Sequence, residues 1–202
     1  MSRYKIAITG GIGSGKSTAC RIVAERGFPV YSCDVIYQEL YQTEEYQNEL
    51  LSLFPACESD GKADRKKLAK IVFSDASALK KLNEFSHGEI MARLFSLMEK
   101  ENFILSFAEV PLLFEGGYEK DFDFVIVIER NKALRVAATM QRDGISQEEV
   151  LQRMGNQWDY CSAAHQKMMK DKKFFTIKND GDENQLKLSI NAILQSVPTC
   201  TI

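Results

Sequence analysis

The 202-residue chain has no C-x-x-C pair, no excess of basic charge and no apolar run long enough to cross a bilayer. Its five cysteines, Cys20, Cys33, Cys57, Cys161 and Cys200, are scattered and odd in number. That excludes a disulfide framework or zinc ribbon and fits a reducing cytoplasm. A formal net charge of −2 excludes a general nucleic-acid binder, which needs a net basic face. The longest apolar stretch, Phe103 to Phe114, is interrupted by Glu109 and Pro111 and is too short for a membrane span. The first stretch stops at Thr9-Gly10-Gly11, so no secretory signal is expected. Only two histidines occur, His87 and His165, and neither has metal-ligand company. Hydrophobic residues at 45% and charged residues at 27% are ordinary globular usage, which rules out disorder and fibrous repeats. The length suits one domain, or one with a small inserted lobe, and a soluble intracellular protein is expected.

What is present alternates between strand and helix. Tyr4 to Thr9 is a β-favouring run that ends on glycines, and a helix is expected from Lys16 to about Arg26, with Gly27 near its end. Phe28 to Tyr31 reads as a second strand. Phe103 to Val110 and Asp123 to Ile128 are near-continuous apolar runs, the pattern of parallel strands buried on both faces. Phe174 to Ile177 is expected as the last strand, before a closing helix over Glu183 to Leu194. This is an α/β fold with a five-stranded parallel sheet. No strand signal is read between residues 35 and 100, so that charged segment is expected to be an inserted helical lobe. Residues 131 to 173 form a second helical region. Within it Ser146-Gln147-Glu148-Glu149 has capping-box spacing, and Asp143-Gly144 reads as a helix stop.

One motif decides the chemistry. Gly10-Gly11-Ile12-Gly13-Ser14-Gly15-Lys16-Ser17 matches G-x-x-x-x-G-K-[ST] between a strand and a helix, the context of a phosphate-binding P-loop. Glycines clear Cβ atoms from the path of the phosphates, and the helix N-terminus adds partial positive charge. Lys16 supplies a point charge for the β- and γ-phosphates, and the Ser17 hydroxyl is a hard ligand for Mg²⁺. A GTPase is excluded, because Asn131-Lys132 lacks the Asp of N-K-x-D; no LSGGQ-like signature of an ABC-type ATPase is present. A small phosphotransferase remains.

Further residues resemble the dephospho-coenzyme A kinase family. They are Thr9 to Thr18, Asp34 as the second Asp of a D-x-D, Val110-Pro111-Leu112-Leu113-Phe114-Glu115 with Glu109 before it, and Met140-Gln141-Arg142-Asp143. Arg153-Met154 with Gln157, and Asn179-Asp180-Gly181, extend the likeness to nearly the whole chain. The chain departs from the pattern at Ser32, which replaces the first Asp, at Gly88 after His87, and between Gln157 and Asn179. The resemblance implies a three-layer P-loop fold in one domain over residues 1–202, with an acceptor lobe at about 35–100 and a lid at about 142–170. It implies transfer from ATP to the ribose 3′-hydroxyl of dephospho-coenzyme A. Lys16, Asp34, Arg142 and Thr9 would be catalytic. Gly11, Ile12, Gly13, Ser14, Gly15, Lys16, Ser17 and Thr18 would hold ATP. Asp34, His87 and Glu115 would face the acceptor, and Ser17 with Glu109 would hold Mg²⁺. Small molecules are the expected partners, without nucleic acid or membrane, in a monomer or small homo-oligomer. A kinase with another acceptor, or an ATP-binding switch protein, is the rival reading.

Some residues carry a plainer alternative. Asp34 could simply cap a helix, and Glu109 could be a hydrogen-bonded structural carboxylate. Lys132, Arg135, Thr139 and Arg142 fall on one helical stripe, with Ala133, Val136, Ala137 and Met140 on another. The apolar stripe is expected to dock the helix and leave the cations to the phosphates. Phe85, Met91 and Phe95 are expected in the core.

Overall fold

The computed structural model describes residues 3–100 and 102–197. The chain opens with β1 (Tyr4–Thr9), α1 (Lys16–Ala24) and β2 (Val30–Ser32). Then come α2 (Cys33–Leu40), α3 (Glu44–Leu53), β3 (Glu58–Ser59), β4 (Lys62–Ala63), α4 (Arg65–Ser74) and α5 (Ala76–Lys100). The chain continues through β5 (Leu105–Glu109), β6 (Phe124–Glu129), α6 (Lys132–Asp143), α7 (Gln147–Gly155) and α8 (Ala163–Met168). It ends with β7 (Phe174–Lys178) and α9 (Glu183–Ser196). Residues Ser32–Lys100 form one compact unit, and the chain on either side of them forms another. No helix among the described residues is long and apolar enough to cross a membrane.

The unit outside Ser32–Lys100 is built on a parallel sheet in the order β2-β5-β1-β6-β7. Register is set by fully buried runs: Ile8 lies beside Glu109 on β5 and beside Ile126 on β6. Ile6, Ile8, Phe107, Ile126 and Ile128 form one core with Ala19, Ile22 and Val23 of α1 and Leu186 and Ile190 of α9. Each large side chain taken out of water there contributes about 1.5–3 kcal/mol. The chain leaves β1 for β2 on one side and later returns to β6 on the other. The carboxyl end of β1 is thus where strand order reverses, the place where open α/β sheets form a crevice.

Ser32–Lys100 has its own core, in which Tyr41, Tyr46, Leu50, Phe54, Leu68 and Val72 are buried. Gln47 is buried too, and both ends of its amide are paired: Nε2 donates to the Tyr41 carbonyl at 2.6 Å, and Oε1 accepts from the Ala63 amide at 2.8 Å. The expectation of no strand here is corrected by the β3–β4 hairpin, in which Glu58 pairs with Ala63 and Ser59 with Lys62. Strands of two residues have no readable periodicity. The available signal was Asp60-Gly61, whose φ angles of 53° and 78° are those of a type I′ turn. Met91 is buried as expected, while Phe85 and Phe95 are half-buried. Gly88 has nothing within 4 Å of where a Cβ would sit. As a glycine it keeps its backbone amide, and α5 runs on for 25 residues.

Candidate active site

β1 delivers the glycine loop to the crevice. Gly10, Gly13 and Gly15 have φ of 149°, 73° and 100°, so the backbone there takes paths that other residues rarely follow. Side chains from the loop's own end and from distant elements hold the loop by its carbonyls. Lys16 Nζ donates to the Gly10 and Gly11 carbonyls at 2.8 and 3.2 Å. Arg135 Nε donates to the Ile12 carbonyl at 2.9 Å, Arg130 to the Gly13 carbonyl at 3.5 Å, and Asn179 Nδ2 to the Ser14 carbonyl at 2.8 Å. These bonds satisfy the carbonyls of residues 10 to 14, so the loop's acceptors are taken up within the protein. The first-turn amides of α1 have no acceptor within the helix, and that turn carries no acidic side chain to offset its dipole. Negative charge is what this arrangement attracts.

Ser17 and Glu109, the two expected metal-binding residues, meet: Ser17 Oγ donates to Glu109 Oε1 at 2.9 Å. Glu109 ends β5 half-buried, and Ser17 is exposed in the first turn of α1. Two hard oxygen donors beside a phosphate cradle suit a small divalent cation. Among the described residues no cluster of three His, Cys, Asp or Glu side chains is placed to cage a metal by itself.

The expected docking of α6 is corrected. Thr139 is fully buried, and Arg135 lies half-buried with its guanidinium on the loop, so the middle of the polar stripe faces the glycines while Lys132 and Arg142 stay exposed. Thr139 Oγ1 donates to the Arg135 carbonyl at 2.8 Å, and Gly13 packs flush against both groups. Burial pulls the Arg135 pKa down from its ordinary value. Ala133, Val136, Ala137 and Met140 instead line an open groove of about 640 Å³ with Gln147 and Leu151. The helix docks on exposed peptide carbonyls, so hydrogen-bonding side chains are the ones that bury. Arg142 is exposed at the end of α6, where Nε and Nη2 donate to Asp143 at 2.6 and 3.0 Å. The bond to Asp143 holds its pKa up, and the charge of Glu109 adds to this. Gly144 stops the helix with φ of 66°, and the Ser146–Glu149 capping box starts α7, both as expected.

The divergent segment after Gln157 closes around the same loop. Gln157 Oε1 accepts from the Ile12 amide at 2.8 Å. Glu115 Oε1 accepts from the Trp158 amide at 2.7 Å, so this expected acceptor residue ties two segments together. The Tyr160 hydroxyl lies against the Gly10 amide and Thr9, and burial pushes its pKa up to about 12. Thr9 is fully buried, and its hydroxyl lies beside Tyr160 without meeting the geometry of a hydrogen bond.

Asp34 and His87 belong to Ser32–Lys100. Asp34 is exposed in the first turn of α2, two residues past the end of β2, and the capping position is Ser32. His87 is half-buried midway along α5. Tyr160, Trp158 and His165 were missed as site residues because no spacing links them to the glycines. Gln157 and Asn179 stood in quoted motifs but without a role.

A model of the dephospho-CoA kinase family matches residues 4–184. A dephospho-CoA kinase from Fusobacterium nucleatum is 37% identical over 150 residues, covering 73% of this chain and 78% of that one. A crystal structure of TT1252 from Thermus thermophilus superposes with a TM-score of 0.82 at 32% identity, covering 98% of this chain and all of that one. A dephospho-CoA kinase structure from Campylobacter jejuni gives 0.66 at 31% identity, with 96% of each chain covered.

Proposed function

This chain belongs to the dephospho-CoA kinase family, and from that premise we propose how its residues move a phosphoryl group. The enzyme phosphorylates dephospho-CoA to give CoA, with ATP as the phosphoryl donor. Residues Gly11 to Thr18 hold the ATP phosphates on backbone amides, and Lys16 adds its charge to the β- and γ-phosphates. The single observation that supports this most is the capture of the loop carbonyls by Arg135, Asn179 and Lys16. Little covalent chemistry is required of the protein in phosphoryl transfer. Positioning and charge stabilisation carry the rate.

Ser17 and Glu109 would hold Mg²⁺, Ser17 directly and Glu109 directly or through water. Mg²⁺ keeps several waters and asks few ligands of a protein, which suits a two-oxygen site. When bound, the ion neutralises charge on the β- and γ-phosphates. Arg142 exchanges Asp143 for the transferring phosphoryl group as the first part of the segment from about Arg142 to Lys170 closes as a lid, while Gln157 to His165 stay against the P-loop. Ser32–Lys100 carries the acceptor, with His87 near dephospho-CoA. The free cysteines Cys20, Cys33, Cys57 and Cys161 support placing the reaction in the cytoplasm.

Asp34 orients the acceptor hydroxyl and takes up its proton. Asp34→Asn is expected to lower kcat by about 10², the lower end of the range for a proton-transfer group. ATP affinity by calorimetry should stay near that of the wild type, and wild-type turnover would reduce Asp34 to a first-turn helix residue. The reaction itself is tested by coupled ADP release. Fast release that depends on dephospho-CoA supports the assignment. Release with another acceptor alone, or binding of ATP without release, would replace it.

A further inference from the structure

His165 is 1% exposed, yet the transfer chemistry does not use it. It sits on α8, packed edge-on against Phe114 and Tyr160 with ring centroids 5.6 and 5.3 Å away. Its Nδ1 accepts a hydrogen bond from the Trp158 indole Nε1 at 3.3 Å. Its Nε2 lies 3.6 Å from Glu129 Oε1, which is too long for a hydrogen bond. The two residues it grips are neighbours of the loop contacts. Trp158 follows Gln157, which holds the Ile12 amide, and Tyr160 lies against Thr9 and Gly10. Trp158 is pinned a second time through its amide to Glu115.

We propose that His165 is a positioning residue for the nucleotide site: its unprotonated Nδ1 holds the Trp158 indole, which keeps Gln157 on the Ile12 amide and the P-loop in its binding form. The proposal rests on the reading of that loop as the ATP site. A histidine has one arrangement that does this. Nδ1 must be the acceptor, so the ring is neutral with its proton on Nε2, facing Glu129. Protonating Nδ1 sets two N–H groups against each other and ends the contact. The charged or titratable groups facing the ring are Glu129 on β6 and Asp159 and Tyr160 on the connecting segment. Glu129 and Asp159 favour a charged ring, but burial dominates and holds the pKa below the usual histidine value. The neutral ring, and the stability it contributes, is therefore in place above about pH 6.5 and is lost as the pH falls through the depressed folded value.

The test uses the full-length enzyme, with ATP affinity by calorimetry and steady-state kinetics. His165→Phe keeps a ring but loses the acceptor, and Trp158→Phe loses the donor. Each is expected to raise the ATP Kd and KM about 3- to 10-fold, the effect of one hydrogen bond, with kcat within about twofold. His165→Asn places an amide oxygen where Nδ1 was and is expected to restore wild-type affinity. Trp158 is the only tryptophan, so its fluorescence reads the contact directly. In the wild type its emission should titrate below pH 6.5 in step with a loss of ATP affinity. His165→Asn should lack that step, which also separates it from protonation of the nucleotide. Unchanged ATP affinity in folded His165→Phe overturns the proposal, as does an identical pH series in wild type and His165→Asn. If His165→Phe does not fold, the pH comparison decides. Wild-type protein that binds no ATP at any pH would instead overturn the P-loop reading, and this inference with it.

Discussion

Lys16→Ala is expected to cut turnover by about 10²–10³, the usual effect of removing one donor that stabilises transition-state charge. Lys16 Nζ lies 2.8 Å from the Gly10 carbonyl, so its charge already sits on the glycine loop. The loop itself should survive, because Arg135, Arg130 and Asn179 hold three other carbonyls from separate elements. The melting temperature should change little. The effect should fall on kcat more than on ATP affinity, since charge is redistributed over these phosphates only during transfer. Coupled ADP release on purified protein checks this. A variant that keeps more than about a tenth of wild-type kcat sinks the role assigned to Lys16, given the size of a single donor's effect.

Gly13→Ala should be comparably severe by another route. Gly13 has φ of 73°, and a Cβ there would run into the backbone carbonyl of Arg135 and the Thr139 hydroxyl. The strained backbone alone costs about 1–3 kcal/mol. The clash adds about 1–3 kcal/mol more, because the obstacle is helix backbone and not a side chain that can swing away. A destabilisation of about 3 kcal/mol is expected, with α6 pushed off the loop and ATP affinity reduced by more than about 10² as Arg135 and Thr139 lose their contacts. Gly88→Ala makes the same chemical change in open space on α5 and should stabilise by about 0.5–1 kcal/mol. Urea unfolding and ATP calorimetry of both variants decide the matter. Equal stabilities would mean that the close approach of α6 to Gly13 is wrong.

The P-loop, the strands of the parallel sheet and the Ser146 cap were legible because each is encoded by neighbours in the chain. Eight consecutive residues from Gly10 to Ser17 specify a turn, a helix start and a charge together. Buried parallel strands show as unbroken apolar runs, and Phe124–Glu129 differs from its expected range by one residue. The capping box at Ser146 needs only Glu149 three positions on. The Ser17–Glu109 pair was expected from residue type and from the resemblance, but their 2.9 Å contact joins positions 92 residues apart.

The orientation of α6 was decided only by tertiary structure. Periodicity separates a polar stripe from an apolar one, and the rule that the apolar stripe docks assumes an apolar partner surface. Here the partner is a bent loop whose carbonyls must be satisfied, so Arg135 and Thr139 bury and Val136 and Met140 line a groove. The same demand recruits Asn179, 165 residues from the loop carbonyl it holds, while the Ile12 amide takes Gln157 as its acceptor across 145 residues. Eight local residues were enough to read a phosphate-binding loop in this chain. Which side chains hold that loop in shape depended on where the sheet brought its other strands, because a backbone carbonyl takes whichever donor the fold places within reach.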